Sequence, residues 1–569
     1  MTAPATAGLP AIDLTWNDVF PGADRGIDSF MRLESWDCPI TYFVGRNGSG
    51  KSRAARAVST RVEGARLLIA DRLLGLMAIT SYTYGIEPNQ DHFKGLPLGD
   101  PERHQAGVGA KRTGVASEEI YNLRERPEVW LRVAAFIRKT LGRTIEIHEQ
   151  SGYLDPHVRI GNSSYSLFRE EGHGLRELVT LLAATYGEDW RILVVDEPEL
   201  HLHPSMVRLW LAELEKECRN SGRRAVVVTH EPSMIQPKSV DDLNGIWYFS
   251  TGKPACRLGS CILPAQTKRV TASLQRYPQL VSTLVFSPRP VLVEGIDDVT
   301  ALTVALMRTQ SPEIVAQTDL AECGSNGGVA LWFEIGNSIG FDVRAIADLD
   351  SFFAPEVQRT MDSSSYVRSR YGSDLAAEPA TTSTALRPLI EQMNKESILP
   401  NPKNRAQWLA HLKDEGGHSA RKSKLIEIWR GAGLWIHPQG CLEDVLGITE
   451  KGAERARLAA QMAGPIDDVA DWCAFKLDHM GEVELLLNVA VEKIAHQLME
   501  AIRIDPEAEF DAPAGPNAII DERLVQVISL GAGEYELRVK APTAFAGWWL
   551  RFSRQTPSSD LVLKSPKID

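Results

Sequence analysis

The feature that most constrains the fold is a glycine-rich loop directly after an apolar stretch near the N-terminus. The segment YFVGRNGSGKS (42–52) fits the pattern G-x-x-x-x-G-K-[ST] and ends in Lys51 and Ser52. Glycines let backbone amides close around a phosphate, and the positive end of a following helix favours its charge. A strand, this loop and a helix together predict an α/β fold that binds a nucleotide, with ATP as the expected cofactor.

Each residue of the loop has an expected role. We expect Lys51 to reach the β- and γ-phosphates and Ser52 to bind Mg²⁺. The other residues expected to surround the phosphates are Gly45, Asn47, Gly48, Ser49 and Gly50.

Two later apolar stretches also end in polar residues. In RILVVDEPELHLHP (191–204), Asp196 follows the stretch and is expected to hold Mg²⁺ through water, while Glu197 is the candidate general base. In AVVVTHEPSMI (225–235), His230 is positioned to sense the γ-phosphate. Sites in α/β proteins lie at the carboxyl ends of strands, so these three pieces should meet.

This combination resembles the ABC-type ATPases. The resemblance gives Lys51, Asp196, Glu197 and His230 the Walker A, Walker B and switch-histidine roles. It also implies a nucleotide held between two subunits, and hence a homodimer or a larger homo-oligomer formed through the ATPase domain. The candidate signature loop, REEGHGLRELVTLLAATYG (169–187), has two glycines but lacks the usual serine.

The second half of the chain contains two apolar stretches that each run into acidic residues. They are VLVEGIDDVTAL (291–302) and VRAIADLDSFF (343–353). Adjacent strands would bring these carboxylates together, where they would repel one another unless a hard cation such as Mg²⁺ or Mn²⁺ bound them. The alternative is that they are solvated loop residues. The acids expected to meet are Glu294, Asp298, Asp348 and Asp350.

The acidic pattern looks like a TOPRIM domain, the metal-binding α/β fold of topoisomerases, primases and certain nucleases. The segment LWIHPQGCLEDVLGI (434–448) is similar to a later acidic element of the nuclease branch, which makes Glu443 a candidate ligand of a second metal. An ABC-type ATPase followed by TOPRIM resembles the overcoming-lysogenization-defect (OLD) family, the group that also contains the nuclease of the Gabija phage-defence system.

The OLD resemblance implies a nucleotide-controlled, metal-dependent endonuclease or nickase that acts on DNA in anti-phage defence, with room for an accessory defence protein. Glu294, Asp348 and Asp350 would be catalytic. A late basic residue would stabilise charge on the phosphate. Lys476 is favoured for this role over Lys451, which comes soon after Glu443 and is expected on a solvated turn.

The predicted fold class is α/β: an N-terminal ABC-type P-loop ATPase, then a TOPRIM α/β domain with helical additions. The expected domains are 1–283, with a helical insertion at roughly 75–150; 284–455, with an insertion at roughly 354–430; and a mixed C-terminal region, 456–569. An amphipathic helix is expected at 480–502.

Composition narrows the class of protein. Hydrophobic residues make up 43% of the chain and charged residues 24%, as in ordinary globular proteins. The net charge of −12 argues against a uniformly basic coat but allows a local basic groove for nucleic acid. No long apolar run or signal-like N-terminus is evident, and the seven cysteines are scattered, so we expect a cytoplasmic protein with reduced thiols and no membrane partner.

Two other functions remain open from the sequence. The first keeps the architecture but has the TOPRIM unit cut RNA, such as tRNA. The second is a RecF-like DNA-repair ATPase without nuclease activity, which the paired acidic segments disfavour.

Overall fold

The computed structural model describes residues 9–20, 29–70, 126–150, 153–167, 170–250, 252–412 and 417–475, together with Leu123 and three strands between 525 and 553. The chain forms two compact units, 1–475 and 476–569. In the second unit, an antiparallel sheet consists of strands Val525–Gly531, Glu534–Val539 and Trp549–Ser553.

The first unit alternates strands and helices along the chain. Its described strands are β1 (Ile12–Leu14), β2 (Met31–Leu33), β3 (Ile40–Gly45), β4 (Ala65–Leu68), β5 (Thr144–Gln150), β6 (Tyr153–Ile160), β7 (Ser163–Ser166), β8 (Ile192–Asp196), β9 (Arg224–Val228), β10 (Ile246–Phe249), β11 (Cys256–Arg257), β12 (Arg289–Val293), β13 (Thr318–Glu322), β14 (Arg344–Ala347) and β15 (Leu434–Ile436). Its described α-helices are α1 (Trp16–Val19), α2 (Lys51–Arg61), α3 (Pro127–Leu141), α4 (His173–Tyr186), α5 (Pro204–Ser221), α6 (Val240–Leu243), α7 (Thr267–Arg276), α8 (Leu280–Phe286), α9 (Ile296–Thr309), α10 (Pro312–Ala316), α11 (Asn326–Ile339), α12 (Pro355–Ser363), α13 (Ser365–Leu375), α14 (Thr382–Lys395), α15 (Pro402–Ala410), α16 (His418–Gly431), α17 (Leu442–Leu446), α18 (Ala453–Ala459) and α19 (Ile466–Cys473).

The first sheet has the strand order β11–β10–β3–β9–β8–β4. All neighbouring strands are parallel except β10 and β11. Successive side chains of a strand point to opposite faces, and β8 shows this clearly. Ile192 and Val194 pack in the core that contains α2, whereas Leu193 and Val195 pack in the core that contains α4 and α5. Helices therefore cover both faces, which confirms the predicted α/β class.

The second sheet is parallel throughout, in the order β13–β12–β14–β15. Val291 and Val293 of β12 pack against α9, α18 and α19, while Leu292 faces the opposite core. Because β12 and β14 are neighbours, the residues that follow them lie at one edge of the sheet.

One apolar core includes residues of both sheets. It contains Val44 and Tyr248 from the first sheet and Leu292 from the second. The rings of Tyr248 and Phe341, just before β14, are 4.6 Å apart. A polar contact adds to this link, since Arg46 Nη2 in the glycine-rich loop donates to the Pro288 carbonyl at 3.2 Å.

Two of the expected domain boundaries fall inside helices. Residue 283 lies inside α8, so the boundary between the two sheets moves to the extended residues before β12. Residue 455 lies inside α18, which packs with α19 on the second sheet, so this domain extends to residue 475. These helices bury apolar faces against α9, and the expected domain end would leave those faces exposed.

The two expected insertions differ in content. The part of 75–150 that is described contains α3, which begins at Pro127, and then β5, the first strand of an antiparallel three-stranded sheet that the sequence analysis did not predict. Residues 354–430 contain the five helices α12 to α16. The helix expected at 480–502 lies outside the described residues.

Among the described helices, none is long and apolar enough to span a membrane.

We predict that Leu292→Ala destabilises both halves of the first unit. Leu292 is fully buried in the shared core, and replacing a buried leucine by alanine costs about 2–5 kcal/mol. Urea unfolding would be followed by tryptophan fluorescence and by release of a fluorescent ATP analogue, and both transitions should shift to lower urea.

The matched control is Leu131→Ala, because the Leu131 side chain is 66% exposed and its loss should change stability by less than about 0.5 kcal/mol. If analogue release by Leu292→Ala occurred at the wild-type urea concentration, the two halves would not share a core energetically.

Candidate functional site

The glycine-rich loop has the backbone that a phosphate-binding loop requires. Gly45, Gly48 and Gly50 all have positive φ angles, which side chains larger than glycine rarely adopt. A Cβ on Gly45 would lie 2.1 Å from the Phe249 carbonyl oxygen, so the close approach of β10 also demands glycine there.

Lys51 lies at the first position of α2 and is buried beneath the loop. Its Nζ donates to the carbonyl oxygens of Gly45 and Arg46, each at 2.8 Å. Burial lowers the pKa of Lys51 to about 8, against the opposing charges of Glu197 and Asp196. A phosphate at the loop would supply the counter-charge that this buried ammonium lacks in its carbonyl partners.

Ser52 and Asp196 meet across the sheet. Ser52 Oγ donates to Asp196 Oδ1 at 3.0 Å, which joins the start of α2 to the end of β8. This is the pair that the sequence analysis expects to hold Mg²⁺ beside a nucleotide.

Glu197 and His230 lie on neighbouring loops and contact each other. His230 Nε2 lies 3.2 Å from Glu197 Oε1. Burial, followed by the charge of Lys51, lowers the pKa of His230 to about 4, so the imidazole is neutral at pH 7 and the contact is a hydrogen bond. Glu197 has a φ of 49°, a strained conformation of the kind that concentrates at functional sites.

Glu199 is a residue of this site that the sequence analysis missed. Its Oε1 accepts from Thr229 Oγ1 at 2.8 Å and from the His230 backbone N–H at 2.7 Å. Burial raises the pKa of Glu199 above its ordinary value. The side chain ties the loop after β8 to the loop that carries His230. Glu199 is visible in the sequence as a second acid two residues after Glu197. Its hydrogen-bond partners follow a different strand, β9, so the sequence alone does not show its role.

The histidines near β8 have structural contacts. His203 Nδ1 accepts from the Ser205 backbone N–H at 3.3 Å and caps α5. The ring of His201 packs edge-on against His173, with centroids 4.9 Å apart. His173 is the first residue of α4, so the candidate signature loop lies directly against the loop that follows β8.

The structure places acidic residues that follow β12 and β14 close to one another. Glu294 follows β12 and Asp348 follows β14, and the Asp348 backbone N–H donates to Glu294 Oε1 at 3.4 Å. Burial, reinforced by neighbouring carboxylates, raises the pKa of both Glu294 and Asp348. Asp298, in the first turn of α9, accepts from the Gly295 N–H at 2.9 Å, and burial raises its pKa to about 6. The three raised pKa values arise where carboxyl oxygen atoms are crowded and poorly solvated.

Asp350 and Glu443 lie near Glu294, Asp298 and Asp348. Asp350 Oδ1 accepts from Asn326 Nδ2 at 2.9 Å, and Asn326 is the first residue of α11. Glu443 lies in α17, and its negative charge contributes to the raised pKa values of Asp298 and Asp348. We call Glu294, Asp298, Asp348, Asp350 and Glu443 the acidic cluster.

Lys451 is the basic residue that the structure brings to the acidic cluster. Its Nζ lies 3.4 Å from Glu443 Oε1, although its side chain is 81% exposed. The charge of Glu443 raises the pKa of Lys451, and the charge of Lys451 in turn opposes the raised pKa values of Glu294 and Asp298. Lys476, which the sequence analysis favoured, lies outside the described residues.

The donor chemistry of the acidic cluster fits a hard divalent cation, because carboxylate and amide oxygens are the ligands that Mg²⁺ and Mn²⁺ prefer. The side chains do not form a ready-made cage, and in the described ranges no three acidic, histidine or cysteine side chains converge tightly enough to count as one. Asp298, Asp350 and Glu443 are instead held by Gly295, Asn326 and Lys451.

Comparisons with known proteins give a family match and a curated relative. Residues 161–235, which include β8 and β9, match the family described as "AAA domain, putative AbiEii toxin, Type IV TA system". The Old nuclease of Escherichia phage P2 is 26% identical over 162 residues, which cover 28% of each chain. The match therefore spans under a third of that relative.

The crystal structure of Stu0660 of Streptococcus thermophilus gives a TM-score of 0.23 at 7% identity, covering 44% of this chain and 86% of that one. The family match and the Old nuclease match support the resemblance to OLD-family ATPase-nucleases, and the first agrees with the P-loop fold.

We predict that Glu199→Ala slows ATP hydrolysis by about tenfold or more and leaves ATP affinity within about threefold of wild type. The loop that carries His230 would lose two hydrogen bonds, and small misplacements near reacting atoms cost up to about 100-fold. Steady-state hydrolysis and binding of a fluorescent ATP analogue separate the two effects.

Glu199→Gln retains one acceptor oxygen and should keep most of the activity, while Glu215→Ala, on the surface of α5, serves as the control. Wild-type turnover by Glu199→Ala would show that Glu199 does not position the His230 loop.

Proposed function

We propose that this protein is a nucleotide-regulated, metal-dependent nuclease that acts on nucleic acid, with DNA as the favoured substrate. The observation that carries the proposal is the pairing of Glu294 and Asp348 on adjacent parallel strands, in the same compact unit as a P-loop. A binding module gains nothing from carboxylates that face phosphate, whereas a metal-dependent nuclease requires them.

The acidic cluster would hold Mg²⁺ or Mn²⁺, with Glu294, Asp298 and Asp348 nearest the sheet and Asp350 and Glu443 at its margins. A bound cation of this kind activates water and stabilises the leaving oxygen of a phosphodiester. Lys451 presents an exposed ammonium beside these carboxylates, where it can stabilise negative charge on the phosphate.

At the P-loop, Lys51 and the glycine-rich backbone would bind the phosphates of ATP, and Ser52 and Asp196 would hold its Mg²⁺. Glu197 would take the proton of the attacking water. The neutral imidazole of His230, hydrogen-bonded to Glu197, can donate to one group and accept from another. Arg46 and the shared core provide a physical route by which nucleotide at the P-loop acts on β12.

The remaining parts of the proposal follow from the OLD resemblance. They are assembly as a homodimer or larger homo-oligomer through the ATPase domain, a cytoplasmic role in anti-phage defence, and cooperation with an accessory protein. Incubation with plasmid DNA and with total tRNA, with Mg²⁺ or Mn²⁺ and with or without ATP, tests substrate class and nucleotide control. Absence of cleavage of both substrates under all these conditions would contradict a nuclease.

We predict that Asp348→Asn reduces cleavage by about 100-fold or more and leaves ATP hydrolysis within about twofold of wild type. The change keeps the volume of the side chain but replaces one ionisable carboxylate oxygen, a proposed ligand of the cation, with an amide nitrogen. Both activities would be measured on one preparation.

The control is Asp319→Asn, since Asp319 is an exposed residue of β13 in the same sheet. Full cleavage by Asp348→Asn would place the nuclease site elsewhere, and loss of ATP hydrolysis alone would contradict two separate sites.

We predict that Lys451→Ala slows single-turnover cleavage at saturating Mg²⁺ by about 10–100-fold, because the phosphate loses a nearby positive charge. Lys451→Arg should restore a large part of the rate, and Lys268→Ala, an exposed lysine of α7, should have no effect. An unchanged rate for Lys451→Ala would show that Lys451 does not stabilise the phosphate, and Lys476 would remain the candidate for that role.

A further inference from the structure

A cavity of about 460 Å³ opens next to the acidic cluster, between β15, α17 and α19. Its size falls within the range of small-ligand pockets. Two observations place the cavity beside the proposed metal site. Val445, two residues after Glu443, lines the cavity, and the backbone N–H of His437 donates to the carbonyl of Ala347, which immediately precedes Asp348.

One wall of the cavity is aromatic and cationic. The rings of Trp435 and Trp472 lie 5.6 Å apart, and the guanidinium of Arg430 stacks 3.8 Å from the centre of the Trp435 ring. Flat aromatic faces and an arginine plane are the surfaces on which unpaired nucleobases stack.

Several buried polar atoms around this cavity have no hydrogen-bond partner among the described residues. They are Arg430 Nε, Trp435 Nε1 and both ring nitrogens of His437. Each unmade hydrogen bond of a buried group costs about 1–3 kcal/mol, so the wall of this cavity carries a local cost that an apolar wall would avoid.

The rim of the cavity is acidic, whereas its wall is aromatic and cationic. Asp468 and Asp471 are exposed carboxylates that line the cavity. They repel a free phosphate or another small anion, and the many polar atoms disfavour an acyl chain. Carboxylates do accept from the exocyclic amino groups of bases.

We propose that this cavity binds one base of an unpaired nucleotide in the strand whose phosphate lies at the acidic cluster, an inference that rests on the proposed nuclease function. Stacking would occur on Trp472, the more exposed of the two tryptophans, with the Arg430–Trp435 pair forming the wall beside the base. Asp468 and Asp471 would favour bases that carry an amino group.

The test compares two fluorescein-labelled oligomers with equal numbers of phosphates: a single-stranded 12-mer of thymidine and a 12-mer of base-free tetrahydrofuran units. Affinities of the full chain are measured by anisotropy in EDTA and without nucleotide, and an oligouridine arm compares RNA with DNA. Stacking on an aromatic side chain contributes about 1–3 kcal/mol per base, so Trp472→Ala should reduce the preference for the base-containing oligomer by about 5–150-fold. Trp472→Phe should retain most of it.

Tyr366→Ala is the matched control, because Tyr366 is an exposed aromatic residue with an arginine over its ring but lies outside the cavity. Asp468→Ala, at the exposed rim, provides a second variant that does not disturb the core. It should lower the preference for oligocytidine, which has amino groups, over oligothymidine, which has none.

An unchanged base preference in Trp472→Ala, or in the wild type no preference for bases at all, overturns the proposal. If Trp472→Ala does not fold, as judged by loss of ATP-analogue binding, an unchanged cytidine preference in Asp468→Ala overturns it. Cleavage of plasmid DNA and tRNA by the wild type is measured in parallel. Retained cleavage with an unchanged base preference removes only the cavity assignment, whereas absence of cleavage removes the proposed nuclease.

Discussion

The shared apolar core between the two parallel sheets is the constraint on which the arrangement of both sites depends. Side chains alternate along each strand, so β12 can bury Leu292 in this core and Val291 and Val293 on the other face. β12 is thereby covered on both sides, so its polar chemistry lies where the strand ends. Glu294 and Asp348 meet because β12 and β14 are parallel neighbours that end at the same edge.

The same packing connects the acidic cluster to the P-loop. Tyr248 lies in β10, which is paired in parallel with β3 in the first sheet. Its ring contacts the ring of Phe341, just before β14. Arg46, whose own carbonyl accepts from Lys51, donates to Pro288 at the start of β12. A nucleotide that changes the hydrogen-bond partners of Lys51 would therefore act on Arg46, which is hydrogen-bonded to the residue just before β12. Glu294 follows that strand. The proposed control of cleavage by nucleotide would therefore have a short physical route in this fold.

Local sequence patterns predicted the parts of the sites that lie at strand ends. The pairs Lys51 with Gly50 and Asp196 with Glu197 are adjacent in sequence, and their strands are continuous apolar runs typical of parallel sheets. Asp348 and Asp350 were identifiable for the same reason. The structure confirms the α/β class, while the roles of these residues stay predictions.

The residues that the sequence analysis missed or undervalued are those whose partners are far away in the chain. Glu199 acts on Thr229 and His230, and Asn326 holds Asp350 from the start of another helix. Lys451 follows a turn and has an exposed side chain, so nothing local distinguishes it from a solvated lysine. The expected domain end at 455 falls inside α18. Because α18 and α19 are short and polar on one face, only their packing on α9 shows that they belong with the second sheet.

Nucleic-acid cleavage, as proposed, depends on a cation bound by the carboxylates at the ends of β12 and β14. Titration of Mn²⁺ by electron paramagnetic resonance, without nucleotide and nucleic acid, measures this binding directly. We predict that wild-type protein and Lys51→Ala bind Mn²⁺ alike, and that Glu294→Gln binds it at least about tenfold more weakly. Undiminished Mn²⁺ binding by Glu294→Gln would contradict this prediction.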